Sequence, residues 1–321
     1  MPEPENEKCI RLKIDCPPKK DGGLKAVEDR QREKQDMMNR KYPKQKIIIK
    51  SGKIKKEHNI KDKIKCVAYH IYWNSETEGK IEKHIPKQIT EGFENKYQYI
   101  YHDKEGKEHE ICTVNWMEII GREKGVRVSG VPKGYIKTYK YPTSGGGDAR
   151  NGYEYENGDI YVDGVGGYGN RKYPKQNGKV KIVRMKDSLS YAKGDVKIYY
   201  TFHGSDRRYC SPECYAGFIG ALGELNRTDI QSTGMCFGDG TSYPSVSHNN
   251  GRSVDTRYLS NFNDEKKKVL AFKKFFFTDI ITGTGGWYKN LPSHKHMGDH
   301  NDHLHAGVID NKKVKTIEEV K

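Results

Sequence analysis

The sequence predicts an α+β fold: a small antiparallel sheet with flanking helices over residues 185–321, preceded by a β-rich accessory module over residues 65–142. Three patterns lead there. Ser211-Pro212 suits an N-cap and first helical position, and Tyr215, Phe218, Ile219, Leu222 and Leu225 then fall on one helical face. Cys66 to Trp73, Tyr97 to His102 and His109 to Trp116 alternate with the period of half-buried strands. Strand-like pieces at 196–202, 230–236, 280–282 and 303–309 lie between and after the helices.

Residues 1–64 are rich in Lys, Glu, Gln and Asp and poor in aromatics, so they read as a flexible basic lead-in, with Lys46-Ile47-Ile48-Ile49-Lys50 as its one short strand. In the β-rich module, Lys104-Glu105-Gly106-Lys107 separates two alternating runs and predicts a hairpin. Residues 143–184 are Gly/Tyr-rich and read as a linker. Gly164-Val165-Gly166-Gly167-Tyr168-Gly169 matches the dinucleotide pattern G-x-G-x-x-G, but that pattern works only where a strand leads into a helix, and Asn170-Arg171-Lys172-Tyr173-Pro174 carries no helical signal. The heptapeptide 39–45 recurs at 170–176, each time before a β-branched run. In the last third, a second helix starts at Asn263, with Asp264 and Glu265 in its first turn and Val269, Phe272 and Phe276 on its apolar face.

Composition narrows the function. The chain has 321 residues, enough for a real core, yet only 34% are hydrophobic and 31% are charged, so core-forming and exposed segments must be unevenly distributed. A net charge of +15 favours polyanionic partners such as nucleic acid, anionic lipid or anionic wall polymer. No segment reaches the roughly 18–20 apolar residues of a membrane span, and no secretory signal opens the sequence. The seven cysteines are scattered without a C-x-x-C pair, which argues against a zinc ribbon and leaves either free thiols or one bridge among Cys210, Cys214 and Cys236.

Five of the 12 histidines fall between positions 294 and 305. On a strand, His303 and His305 project to one face while Leu304 and Ala306 turn to the core. Upstream, His248 and Asp255 are separated by a turn-capable Gly251, and Ser253 and Asp255 share a face. Two imidazoles and a carboxylate give three ligands for Zn²⁺ and leave the fourth position open, as in catalytic zinc sites. His294, His296 and His203 read as solvent-exposed or loop residues, and Trp287 and Tyr288 as either groove lining or aromatic packing.

Ser247-His248-Asn249-Asn250-Gly251-Arg252-Ser253-Val254-Asp255 with His300-Asn301-Asp302-His303-Leu304-His305 resembles the zinc peptidases of the lysostaphin, D-Ala-D-Ala metallopeptidase and hedgehog group, and within it the penicillin-insensitive murein endopeptidases. The resemblance covers about residues 190–310. It implies a LAS-type fold, His248, Asp255 and His305 as Zn²⁺ ligands, His303 as the catalytic histidine and His300 as a further active-site histidine. Asp302 stands three residues before His305, where carboxypeptidase relatives carry a glutamate base. Strand alternation would turn it away from His303, which favours a supporting role that orients an imidazole.

The implied activity is hydrolysis of D-alanyl cross-links in peptidoglycan stem peptides. With no signal visible, it points to an antibacterial effector acting in the periplasm or cell wall after delivery by a secretion machine, with that machine and an immunity protein as protein partners and with no nucleic-acid partner. The alternatives are a D-Ala-D-Ala-type carboxypeptidase, a metal-dependent nuclease and a non-catalytic wall-binding module.

Overall fold

The computed structural model describes residues 49–50, 53–54, 65–141, 150–164 and 168–319. The chain divides into two units, 1–63 and 64–321. In the first, β1 (Ile49–Lys50) pairs antiparallel with β2 (Lys53–Ile54). The rest of the expected lead-in, including the first copy of the repeated heptapeptide, lies outside the described residues.

Among the described residues, the second unit contains three sheets. One has seven strands: β3 (Val67–Tyr72), β4 (Lys80–Ile85), β5 (Lys96–His102), β6 (Glu108–Arg122), β12 (Lys175–Arg184), β15 (Tyr209–Cys210) and β21 (Lys315–Glu318), in the order β15-β12-β6-β5-β3-β4-β21. The hairpin expected around Lys104–Lys107 is β5–β6. A five-stranded sheet is formed by β7 (Val126–Val128), β8 (Lys137–Tyr141), β9 (Arg150–Glu154), β10 (Ile160–Val162) and β11 (Asn170–Tyr173), in the order β7-β11-β10-β9-β8. The third sheet orders β13 (Ser188–Lys193), β14 (Val196–Phe202), β16 (Gln231–Gly234), β17 (Val254–Arg257), β20 (His303–Ile309), β18 (Phe277–Thr282) and β19 (Lys295–His296).

The fold is thus α+β, with corrections to the expected plan. The third sheet is mixed, because β14·β16 and β18·β19 are parallel. The stretch 143–184 is not a linker in its described part. It supplies β9 to β12, and Gly158 (φ +84°) sits at the β9–β10 hairpin turn, so a Gly/Tyr-rich texture here marks short strands joined tightly. The second heptapeptide copy forms β11, Pro174 and the start of β12. After the G-x-G-x-x-G stretch comes strand β11, paired with β10, and no helix.

Among the described residues, two α-helices flank the third sheet. α1 (Pro212–Leu225) starts where Ser211 Oγ accepts from Cys214 N, 3.2 Å away, and stops at Asn226, whose left-handed backbone (φ +52°) closes onto Leu222 O. It buries Tyr215, Phe218, Ile219 and Leu222 between the two seven-stranded sheets. On one side Tyr99 OH donates to Pro212 O (3.1 Å) and Tyr69 OH to Glu213 Oε1 (2.6 Å), and on the other the Tyr200 and Tyr215 hydroxyls pair at 2.9 Å. At Gly220 the Phe275 ring lies so near that a Cβ would come within 2.4 Å of it, so α1 approaches its neighbour as only a glycine permits. Residues 65–142 are therefore no separate module: Tyr69, Tyr99 and Ile111 share one core with Tyr215, Phe272 and Leu304. The alternation that identified the strands carries no information about which partner covers their apolar face. No helix among the described residues is long and apolar enough to cross a membrane.

α2 (Phe262–Lys274) begins one residue before the expected start, at the Asn261 cap, and ends before Phe276, which takes a positive φ of 74°. It anchors β17 through a fully buried ion pair. Lys268 Nζ lies 3.0 Å from Glu265 Oε2 and donates to Arg257 O at 2.6 Å, while Glu265 accepts from Leu259 N at 2.8 Å. Removing one partner of such a pair strands the other charge. Lys268→Met is expected to lower stability by about 3–5 kcal/mol in urea unfolding, and a loss below about 1 kcal/mol would show that the pair does not anchor β17.

Candidate metal centre

Asp255 and His305 are directly opposed in the antiparallel β17·β20 pair, and His303 opposes Arg257 two residues away. The period of two puts Asp255, His303 and His305 on one face, while Leu304 and Ala306 are fully buried on the other. His248 arrives from outside the sheet, at the entry to a single 3-10 turn, Asn249–Gly251. That turn needs its residues. Asn250 takes φ +59°, and Gly251 takes φ +65° with its backbone so close to Cys210 that a Cβ would sit 2.2 Å from the Cys210 Cα.

The turn is docked on β6. Asn250 Oδ1 accepts from Arg122 N at 2.8 Å and its Nδ2 donates to Arg122 O at 2.9 Å, and Asn249 Nδ2 donates to the same carbonyl at 2.6 Å. A strand that the sequence assigned to an accessory module thus sets the position of His248.

Three donor atoms converge. His248 Nε2 lies 2.9 Å from His305 Nδ1 and 3.0 Å from Asp255 Oδ1, and the latter two are 2.9 Å apart. All three residues are at most 5% exposed. Each edge of this triangle calls for a proton, but a carboxylate brings none and each imidazole nitrogen can bring only one, so no arrangement of protons serves all three edges. A cation accepting three lone pairs does. The outer nitrogens, His248 Nδ1 and His305 Nε2, are buried without a hydrogen-bond partner among the described residues, and they can carry the ring protons in that state. The edges come close to the roughly 3.3 Å between donors of a tetrahedral ion with bonds of about 2.0–2.1 Å. His248, Asp255 and His305 therefore form a group able to hold a metal ion.

The other expected site residues line the rim. His303 Nε2 faces Asp255 Oδ2 at 3.9 Å, and its Nδ1 lies 2.6 Å from Asp302 Oδ1. Asp302 does not turn away from His303 as alternation suggested: it precedes β20, in a bend where the strand period does not apply. His300 packs its ring 4.7 Å from that of His303 and 5.8 Å from that of His305, with Nδ1 on Asp299 Oδ1 at 2.7 Å. Burial lowers its pKa.

His294, His296 and His203 are exposed, as expected. Trp287 and Tyr288 pack with Tyr258, whose ring stacks on Tyr288 at 4.0 Å and whose hydroxyl donates to His300 O at 2.9 Å. The five described cysteines are free and buried, and desolvation raises the pKa of the Cys210, Cys214 and Cys236 thiols. Sequence reading missed Arg207, whose Nη2 lies 3.7 Å from Asp255 Oδ2 and donates to Thr233 O at 3.1 Å. An arginine 48 positions upstream of its partner, in the short connection between β14 and β15, leaves no linear signal.

Searches of protein-family models, of curated proteins and of solved structures find no match to this chain. The geometry of the site is therefore what bears on function.

Burial keeps His248 neutral, lowering its pKa to about 4 although Asp255 opposes the shift. Burial also works against the Asp255 carboxylate, yet the imidazoles of His248 and His303 hold its pKa well below the usual value. In chelator-treated protein, the unfolded chain binds the extra His248 proton between about pH 6.5 and pH 4, so stability present above 6.5 declines as pH falls through that window, by about 3 kcal/mol. Asp255 adds to the loss only below about pH 4. Denaturant titrations of metal-free protein at pH 7.5 and pH 4.5 should show a drop to which His248 and the likewise depressed His70 both contribute, and His248→Gln should shrink it by the His248 share. Equal stability at the two pH values would contradict a buried neutral His248.

Proposed function

We propose that this chain is a zinc-dependent peptidoglycan hydrolase that cuts D-alanyl peptide cross-links between murein stem peptides. The observation that carries the reading is the buried convergence of His248 Nε2, Asp255 Oδ1 and His305 Nδ1, with His303 at its open side. Three N/O donors and a solvent-facing rim are the pattern of catalytic rather than structural zinc. The two motifs that resemble murein endopeptidases supply exactly these side chains, and a charge of +15 suits an anionic wall substrate.

A Zn²⁺ in this group supplies a Lewis acid that polarises the scissile carbonyl and lowers the pKa of water toward about 7. The remaining work falls to the chain. Asp302 Oδ1 accepts a hydrogen bond from His303 Nδ1–H, which leaves the Nε2 lone pair turned toward the ligand group. His303 then takes a proton from the attacking water and passes it to the leaving amine, and while charged it faces the developing negative oxygen. His300, held by Asp299 and by the Tyr258 hydroxyl on its carbonyl, closes one side of that space. Arg207 faces the Asp255 carboxylate and limits its turning away.

Metal-loaded protein incubated with cross-linked peptidoglycan should convert cross-linked dimers to monomers by mass spectrometry, and a chelated sample should not. His303→Ala should keep its metal and lose about 10²–10⁴-fold in kcat. Release of terminal D-alanine from uncross-linked stems alone would move the assignment to a carboxypeptidase. No released product from metal-loaded protein would overturn the hydrolase reading.

A further inference from the structure

The first seven-stranded sheet carries a second group of ligating side chains, on the face turned away from the core. Tyr69 and Ile71 of β3 and Tyr99 and Tyr101 of β5 point inward and are buried. The alternate positions therefore share the outer face: His70 and Tyr72 on β3, Glu82 and His84 on β4, and His102 on β5. The register brings them together, since His70 opposes Glu82, Tyr72 opposes His102, and His102 opposes Glu108 of β6.

His70 Nδ1 and His102 Nε2 are 2.9 Å apart, and a Glu108 carboxylate oxygen lies within 4.8 Å of both. The rings are fixed from behind. His102 stacks on Tyr72 at 4.2 Å, the His70 and His84 rings are 4.2 Å apart, and Glu82 Oε2 receives both the Tyr72 hydroxyl (2.9 Å) and His84 Nε2 (3.1 Å). Lys80 lies 3.1 Å from Glu82 Oε1 and balances its charge. Three imidazoles brought this close on one face gain little from one another, because two neutral rings share at most one proton across their contact. A cation uses both lone pairs at once.

We infer that His70, His102 and Glu108 form a second metal site, specific for a borderline divalent ion of the Zn²⁺ class. Two imidazoles and one carboxylate suit such ions better than Mg²⁺ or Ca²⁺, which prefer all-oxygen shells. The ligands come from three adjacent strands, so the bound ion ties β3, β5 and β6 together. Glu108 is exposed, so water completes the shell and the ion exchanges readily. The inference does not depend on the hydrolase reading.

The test is a Zn²⁺ titration of the full chain by calorimetry, with chelator-stripped protein. Wild type is expected to bind two equivalents at distinct sites. His102→Gln should keep one equivalent, together with the acid-labile stability of the buried triad, and His248→Gln should keep the other. Loss of one ligand should also weaken the second site by about tenfold or more, as outer partners alone commonly do. One equivalent in wild type that His102→Gln retains and His248→Gln loses, or two in His102→Gln with unchanged affinities, would overturn the inference. If His102→Gln does not fold, Glu108→Gln at its exposed position carries the same test, and unchanged affinity there would overturn it equally.

Discussion

The fold of the second unit is organised around a carboxylate that has been taken out of water. Asp255 is 5% exposed in the middle of a sheet, where an isolated negative charge costs several kcal/mol. Its compensation comes from three directions: His305 across the strand pair, His248 from a loop, and Arg207 from the connection between β14 and β15. Each contact imposes a requirement. The β17·β20 register admits no slip, since a shift of one residue would send Asp255 to the face occupied by Val254 and bury it among apolar side chains. The His248 loop must turn within three residues, which demands left-handed backbone at Asn250 and Gly251.

That loop also explains why the two large sheets are joined. The 3-10 turn rests on the Arg122 backbone at the end of β6, and β6 in turn is fixed by β5 and β12. α1 fills the space between the sheets, with tyrosine hydroxyls reaching it from both sides. A metal centre needs donors fixed to within a few tenths of an ångström, and loops alone do not give that precision. Here two donors stand on adjacent central strands, and the third is held by side-chain amides on a strand of the other sheet.

Much of this was legible where the signal is local. α1 was readable from Ser211-Pro212 and its apolar spacing, and β14 and β20 from their runs, because period and capping lie within a few residues. The candidate ligands were readable because His248, Asp255 and His305 occur in two compact motifs. What failed was long-range. The merging of residues 65–142 with the last third depends on Tyr69 and Tyr99 meeting α1 more than 100 positions away, and no periodicity encodes that. The strands in 143–184 were hidden by glycine, whose turn-forming role outweighs strand propensity in any short window. Asp302 was misdirected because strand alternation was extended one residue past the strand's start. Arg207 lies in a loop far from its partner in sequence, and the outer-face histidines of β3 to β5 are single residues in otherwise ordinary strands that become a cluster only once the register is known.

The two ligand clusters use the same donor set in opposite environments, and this difference sets what each can do. In the buried triad, low dielectric would strengthen every interaction with a cation and makes the metal-free state costly, so an ion bound there would be coupled to the stability of the fold. His303, with its side chain 20% exposed, links the buried group to solvent. On the outer face of β3 to β6 the imidazoles are half-buried and the carboxylate is exposed, so solvent competes for both the ion and its ligands. The carboxylate behind that cluster, Glu82, is engaged by Tyr72, His84 and Lys80. An ion bound to the cluster would brace the sheet, and since β6 carries the seat of the His248 loop, bracing that sheet would also steady the third donor of the buried centre.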